Sequence, residues 1–272
     1  MPELPEVETI CETLRPKLVG HKIMGGIVKL PKLIQDLSPV DFLAQVTKTQ
    51  IQRVQRRGKY ILIELSEGLT LIFHLRMTGQ LIIEAGATEP TKATYLQLWL
   101  DHGQELRFRD QRKFGKVWLV SQTSLPSGLQ KLGPEPLTDD FTSELFQKQL
   151  GKRKLAIKKA LLNQEILAGL GNIYTDEALF LAGIHPTRPV NSLTINELEE
   201  LYHTIRQVLT EGIAHRGTTK RDYLDGEGKA GSYQNYLRVY GRQGELCPKC
   251  QQEVVWMNFG GRGTHYCPNC QK

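Results

Sequence analysis

No apolar run in the 272 residues is long enough to cross a bilayer. The longest, Tyr60 to Leu65 and Leu69 to Phe73, fall far short of the roughly 20 residues a spanning helix needs, which argues against a helical membrane protein. Export is not expected either. MPELPEVET carries three glutamates and two prolines where a leader would place basic residues and then an apolar core. A soluble, cytoplasmic chain with no membrane partner is therefore expected. Internal repeats and low-complexity tracts are absent, which excludes solenoids and disordered linkers. Cysteine is scarce, at five residues.

What is present begins with charge. A formal net charge of +6 and a sequence pI near 9.0 point to a polyanionic partner, although that balance alone also suits an ordinary basic protein. The length allows two domains and an appendage.

Leu4, Val7, Ile10, Leu14 and Leu18 recur at helical spacing. Pro5 suits the first turn, and Pro16 is expected to end the helix near Arg15. From His21 to about Ser121 the pattern becomes short segments rich in Ile, Val, Leu, Tyr and Phe. The strands expected there are 50–54, 60–64, 69–74, 80–83, 95–100, 105–109 and 116–120, a number that indicates a sandwich or barrel. LGPEPLTDDF (132–141) separates this half from helical patterns at 141–150, 154–162, 173–182 and 194–214, the last opened by the capping pair Thr194 and Glu197. The Gly-rich connector LAGLGN (167–172) can approach a ligand closely.

Cys247, Cys250, Cys267 and Cys270 have the spacing C-x2-C-x16-C-x2-C, which lets two turns present four thiolates to one tetrahedral ion. Two disulfides are the alternative, one a cytosolic chain would keep reduced. A closed four-thiolate site predicts one structural zinc. Cys11, within the first helix, reads as a small buried hydrophobe. Between the cysteine pairs, FGGRGTHYC (259–267) predicts a tight hairpin with Arg262 at its tip, either a surface arginine or a phosphate contact.

Removal of Met1 would leave Pro2 with a secondary amine, only partly protonated near neutrality and able to attack a sugar carbon and leave an iminium. Glu3 stands beside it to move protons, with Glu6 a secondary candidate. Taken alone, Pro and Glu here are also ordinary helix-start residues.

These features occur together. PELPEVET, RRGKY (56–60), HLRMTG (74–79), DQRKFG (110–115), AGLGNIYTDEALF (168–180) and GGRGTHYCPNCQ (260–271) span essentially the whole chain. In that order they resemble the bacterial formamidopyrimidine-DNA glycosylase, or 8-oxoguanine DNA glycosylase, family. The resemblance implies an α+β fold: an N-terminal β-sandwich flanked by helices, a helix-two-turns-helix domain and a zinc finger. We divide the chain on that basis into 1–131, 132–232 and 233–272. It further implies a monomer acting on double-stranded DNA bearing oxidised purines or abasic sites, held in a cleft between the domains. Base excision would be followed by β- and δ-elimination.

Carried over residue by residue, the resemblance makes Pro2 the Schiff-base nucleophile and Glu3 the acid that protonates the opening deoxyribose. Lys59 matches a lysine of β-elimination and phosphate contact, and Arg262 the finger arginine of phosphate binding and δ-elimination. Asn172 matches a phosphate-contacting asparagine, although it could equally cap the next helix. Met77, Arg112 and Phe114 match the residues that fill the space left by an everted nucleotide. By pattern alone Met77 and Phe114 would be sandwich core, and Lys59 a solvated strand end.

Lys148, Lys152, Arg153, Lys154, Lys158 and Lys159 form a stretch without acidic residues, either a phosphate track or a solvated helix face. Residues 217–233 resemble a lid over the everted base. Two departures stand out: Ala93-Thr94-Tyr95 replaces a His-x-His pair, and LLNQ (161–164) replaces LLDQ. Two other readings differ in identifiable residues. The endonuclease VIII type opens with PEGPE rather than PELPE, and a non-catalytic zinc-finger regulator would need neither Pro2 nor Lys59.

Overall fold

The computed structural model describes residues 1–121 and 124–272. Its contacts fall into two compact units, 1–130 with 215–232, and 131–214 with 233–272. Among the described residues no helix is long and apolar enough to cross a membrane.

The first unit opens with α1 (Leu4–Leu18), which buries Leu4, Val7, Ile10, Cys11, Leu14 and Leu18 completely. The helix runs past Pro16, contrary to the break expected near Arg15. A proline lacks only one donor, and the helix ends soon afterwards with the Val19 N–H on the Arg15 carbonyl at 3.1 Å, so the disruption is confined to the last turn. Next come β1 (Ile23–Val28) and α2 (Pro39–Val46), neither anticipated. Ser38 caps α2 by accepting the Asp41 N–H, and Pro39 occupies the first turn.

The strands β2 (Ile51–Arg57), β3 (Tyr60–Leu65), β4 (Leu69–His74), β5 (Gly79–Ala85), β6 (Thr94–Leu100), β7 (Gln104–Asp110) and β8 (Lys116–Ser121) lie within a few residues of expectation. A short α3 (Ser127–Gln130) follows. Two antiparallel four-stranded sheets result, ordered β1-β6-β7-β5 and β2-β3-β4-β8. Their inner faces share one core with α1, and Phe73 of one sheet stacks on Phe108 of the other at 6.1 Å. This is the expected sandwich.

Residues 215–232, which the sequence-based division grouped with the helical part, pack in this first unit. The reason is polar: Thr218 N–H reaches Glu6 Oε1 at 2.7 Å, Gly226 N–H reaches Thr13 Oγ1 at 3.0 Å, and Ile83 N–H reaches the Gly226 carbonyl at 2.9 Å.

The second unit contains α4 (Ser143–Leu150), α5 (Ile157–Leu162), α6 (Asn172–Leu181), α7 (Ile195–Ala214) and the hairpin β9 (Val255–Phe259) and β10 (Arg262–Tyr266). Lys158 on α5 is fully buried and joins three elements. Its Nζ lies 2.5 Å from Asp176 Oδ1 on α6 and 2.8 Å from Thr264 Oγ1 on β10. Asp176 Oδ2 also accepts the His265 N–H at 2.9 Å. Lys158 therefore has no place in a phosphate track. Removing its charge leaves a buried carboxylate uncompensated. Lys158→Met is expected to destabilise this unit by about 3–5 kcal/mol in denaturant unfolding. A loss below about 1 kcal/mol, the scale of an exposed pair, would contradict that role.

Candidate active site and zinc centre

Pro2 and Glu3 are buried at the entrance to α1. Glu6, only 2% exposed, holds them there: its Oε2 accepts the Glu3 N–H at 2.8 Å, while its Oε1 accepts the Thr218 N–H. One carboxylate thus ties the segment carrying Pro2 to the 215–232 loop. Tyr223 adds a hydroxyl bond to the Glu6 carbonyl at 3.3 Å. A Cβ on Gly217 would lie 2.8 Å from Glu6 Cγ, so this close approach requires glycine. Glu6, a secondary catalytic candidate from the sequence, is engaged through both oxygens with backbone donors.

Lys59 occupies the tight β2–β3 turn and is 6% exposed, not the solvated strand end that pattern alone allows. Arg56 shapes this turn: its Nη1 donates to the Gly58 carbonyl at 3.1 Å and its Nε to Glu8 Oε2 at 2.7 Å, which fastens the hairpin to α1. His74, across β3 and β4 from Tyr60, accepts the Arg76 N–H at Nδ1. Burial, reinforced by the Arg76 and Lys59 charges, pushes its pKa down from 6.5 to about 3.

Met77 and Phe114 are 45% and 51% exposed, so neither is sandwich core. Met77 lies in the β4–β5 turn; Arg112 and Phe114 lie in the β7–β8 turn, with the Arg112 guanidinium 4.8 Å from the Phe114 ring centre. Buried Asp110 organises both turns. Its Oδ2 accepts the N–H groups of Phe114 and Gly115 at 2.7 Å, and its Oδ1 accepts Arg112 N–H and the Thr78 hydroxyl. A Cβ on Gly115 would collide with Phe108 at 2.3 Å, which explains the glycine ending DQRKFG.

In the second unit, Gly260 and Gly261 take positive φ at the β9–β10 turn, and exposed Arg262 begins β10. Asn172 does not cap α6, since Gly171 holds that position. Its Nδ2 donates to the Gly263 carbonyl at 2.7 Å, and its buried Oδ1 has no hydrogen-bond partner among the described residues. A cavity of about 250 Å³ lies beside the hairpin turn, lined by Lys159, Asn163, Phe259, Gly260 and Arg262 among others. Lys154 is exposed ahead of α5, whereas Arg153 turns back to the Gln149 carbonyl at 2.6 Å and closes the end of α4. Glu177, at 0% exposure, accepts three successive N–H groups from Arg238, Val239 and Tyr240; Tyr174 stacks on Tyr233. Both hold the fold together.

The four cysteine sulfurs lie within 4.8 Å of one another, with Cys247 to Cys270 at 3.8 Å and Cys250 to Cys267 at 3.5 Å. A disulfide requires about 2.05 Å, whereas a tetrahedron with Zn–S of about 2.3 Å has edges of about 3.8 Å. The donors fit a zinc ion. Gln271 supports them, accepting the Cys267 N–H at 2.8 Å and donating to the Ile184 carbonyl at 3.0 Å.

Comparison with known proteins agrees along the full length. Family models of the formamidopyrimidine-DNA glycosylase N-terminal domain, its H2TH domain and the zinc finger found in FPG and IleRS match residues 1–117, 132–223 and 256–272. The formamidopyrimidine-DNA glycosylase of Pelotomaculum thermopropionicum is 49% identical, covering 100% of this chain and 99% of that protein. The chain belongs to the formamidopyrimidine-DNA glycosylase family. The Herpetosiphon aurantiacus enzyme is 47% identical over all of both chains. A Lactococcus lactis FPG mutant in complex with Fapy-dG containing DNA superposes with a TM-score of 0.94, at 38% identity and full coverage of both. The L. lactis enzyme with abasic-site DNA gives 0.93 at 38%, covering 99% of each chain.

Within this glycosylase fold the two departures have local explanations. Asn163 Oδ1 accepts the Glu165 N–H at 3.0 Å, a bond either an amide or a carboxylate can accept. Tyr95 offers its ring to Lys113 Nζ at 5.5 Å from the centre. The match includes the C-terminal zinc finger, and Cys247, Cys250, Cys267 and Cys270 lie close enough together to hold its one structural zinc. The zinc contributes folding energy and no open coordination position.

The His74 shift predicts a pH dependence. The unfolded chain binds a proton below pH 6.5 that folded His74 refuses until about pH 3. Stability therefore falls as pH drops between those values, by about 1.4 kcal/mol per unit from this group. His74→Asn keeps an acceptor near the Arg76 N–H and should flatten the unfolding profile by that slope between pH 6 and pH 4. Identical profiles would place a charged histidine in the fold.

Proposed function

We propose that this chain is a base-excision repair enzyme that removes 8-oxoguanine and formamidopyrimidines from duplex DNA and then cleaves the abasic site. The observation that carries the reading is the anchored N-terminus, with Pro2 and Glu3 buried at the head of α1 and held by Glu6. A regulator that only bound DNA would have no use for a fixed terminal proline. Leu4, in place of the glycine of PEGPE, favours the purine branch over the endonuclease VIII type.

Met1 removal turns the Pro2 nitrogen into a secondary amine. Its lone pair attacks C1′, the C1′–base bond breaks, and the base leaves with a proton. Glu3 protonates the ring oxygen as the sugar opens, leaving an iminium between Pro2 and C1′. Loss of a C2′ proton expels the 3′ phosphate, a second elimination expels the 5′ phosphate, and water hydrolyses the remaining imine. Lys59 serves the first elimination and a phosphate, and Arg262 a phosphate and the second elimination. Asn172 and Lys154 add phosphate contacts; the cavity that Lys159 and Arg262 line supports an anionic ligand beside the finger. Zinc holds the hairpin that presents Arg262.

Met77, Arg112 and Phe114 fill the opened stack. Exposed apolar side chains on turns pinned by one buried carboxylate suit a wedge, because extruding a base costs a few kcal/mol. Functionally we divide the chain into a catalytic part (1–131) that carries the lid loop 215–232 packed with it, a helical DNA-binding part (132–214) and the finger (233–272). It acts as a cytoplasmic monomer without membrane attachment.

Phe114→Ala should lower excision of 8-oxoguanine from duplex DNA by tenfold or more, about 1.4 kcal/mol in the barrier, while a preformed abasic site is still cleaved. Assays on duplexes with 8-oxoguanine, an oxidised pyrimidine or a preformed abasic site check both points. Equal losses on the two steps would remove the wedge role, and preference for the pyrimidine would reassign the substrate.

A further inference from the structure

A second cluster of ligating side chains lies in the first unit, on residues the repair chemistry does not use. His21 follows α1, and Asp101 and His102 form the β6–β7 turn. Both imidazoles turn Nδ1 toward one carboxylate oxygen: His21 Nδ1 lies 2.8 Å and His102 Nδ1 3.4 Å from Asp101 Oδ1. The two rings are 3.7 Å apart, centre to centre. The other carboxylate oxygen is already occupied by the Lys22 N–H at 3.1 Å.

Gln104 decides the protonation of His102. Its Oε1 lies 2.9 Å from His102 Nε2 and can only accept, so Nε2 carries a hydrogen. His102 Nδ1 is thereby turned toward Asp101 Oδ1, the same oxygen that His21 Nδ1 faces. One metal ion satisfies both nitrogens and the oxygen together.

We propose that His21 Nδ1, His102 Nδ1 and Asp101 Oδ1 bind one divalent transition-metal ion, separate from the four-cysteine zinc. Zn–N and Zn–O bonds of about 2.0–2.1 Å give tetrahedral edges of about 3.3–3.4 Å, close to the 3.4 Å between His102 Nδ1 and Asp101 Oδ1 and wider than the 2.8 Å at His21, so binding requires the His21 ring to swing away from its neighbour. Two imidazoles and a carboxylate select zinc, nickel or copper over magnesium or calcium. Gln104 is the outer partner that fixes the ligating tautomer. Partial exposure of all three side chains, 28–36%, leaves the fourth position to water. The frame is already closed, with Asp101 N–H on the Lys22 carbonyl at 3.0 Å and Gly103 N–H on the Leu100 carbonyl at 3.1 Å. A bound ion would clamp the start of edge strand β1 to the turn of its neighbour β6.

The test is zinc titration of the full-length protein carrying its structural zinc, read as metal content after gel filtration at constant free zinc. Wild type should rise from one zinc per chain to two, with a rise in melting temperature, and magnesium should produce neither. Histidine nitrogen NMR should show Nδ1, not Nε2, of His21 and His102 as the metal-bound atoms. His21→Ala with His102→Ala should stay at one zinc and melt independently of added metal. Gln104→Leu should keep the second ion but weaken it by about tenfold or more. A wild-type content that stays at one through millimolar zinc would overturn the proposal. So would a second ion that survives in the double variant.

Discussion

A nucleophile at the start of a chain is useful only if that end is held, and chain ends are ordinarily the least ordered part of a domain. Here the hold is a buried carboxylate. Glu6 accepts the N–H of Glu3 on one oxygen and that of Thr218 on the other. The apolar face of α1, buried from Leu4 to Leu18, fixes the helix on the sandwich, and Glu6 extends that rigidity into the residues ahead of it. Glu8 does the same for the turn carrying Lys59, through Arg56.

The same device recurs wherever an irregular segment must keep its shape. Asp110 gathers three N–H groups of the Phe114 turn, Glu177 three from 238–240, and Asp225 two from its own loop at Glu227 and Lys229. Turns rich in glycine and charge have few apolar side chains to pack. Charge-assisted bonds to backbone donors are the strong alternative. Raised against its usual value by burial, Glu177 shows the cost of removing such a carboxylate from water, offset by its three donors.

Much of the fold was legible because it rests on periodicity: the face of α1, seven of the eight sandwich strands and four later helices. The zinc ligands were legible from spacing, and the Gly260-Gly261 turn from composition. What escaped lacks a periodic signal. Strand β1 reads Ile-Met-Gly-Gly-Ile-Val, whose central glycines obscure alternation, although Gly26 is required because a Cβ there would meet the Gln97 carbonyl oxygen at 2.3 Å. Helix α2 is only eight residues long within a strand-rich stretch; Ser38-Pro39 was the signal that could have located it. Lys158 looked like its neighbours Lys154 and Lys159, because burial depends on Asp176 and Thr264, distant in sequence. Glu6 could not be separated from Glu3 for the same reason. The Thr218 donor lies 212 residues away.

The central claim concerns the bond between Pro2 and the sugar, and the most direct measurement is its capture. An iminium between the Pro2 nitrogen and C1′ is reduced by borohydride to a stable amine. Incubating the Met1-free protein with duplex DNA carrying 8-oxoguanine in the presence of borohydride should yield a covalent adduct. Peptide mass spectrometry should place the link at residue 2. An adduct at Lys59 or another lysine, or excision of 8-oxoguanine at the normal rate by protein whose terminal nitrogen is blocked by retained Met1, would contradict the account.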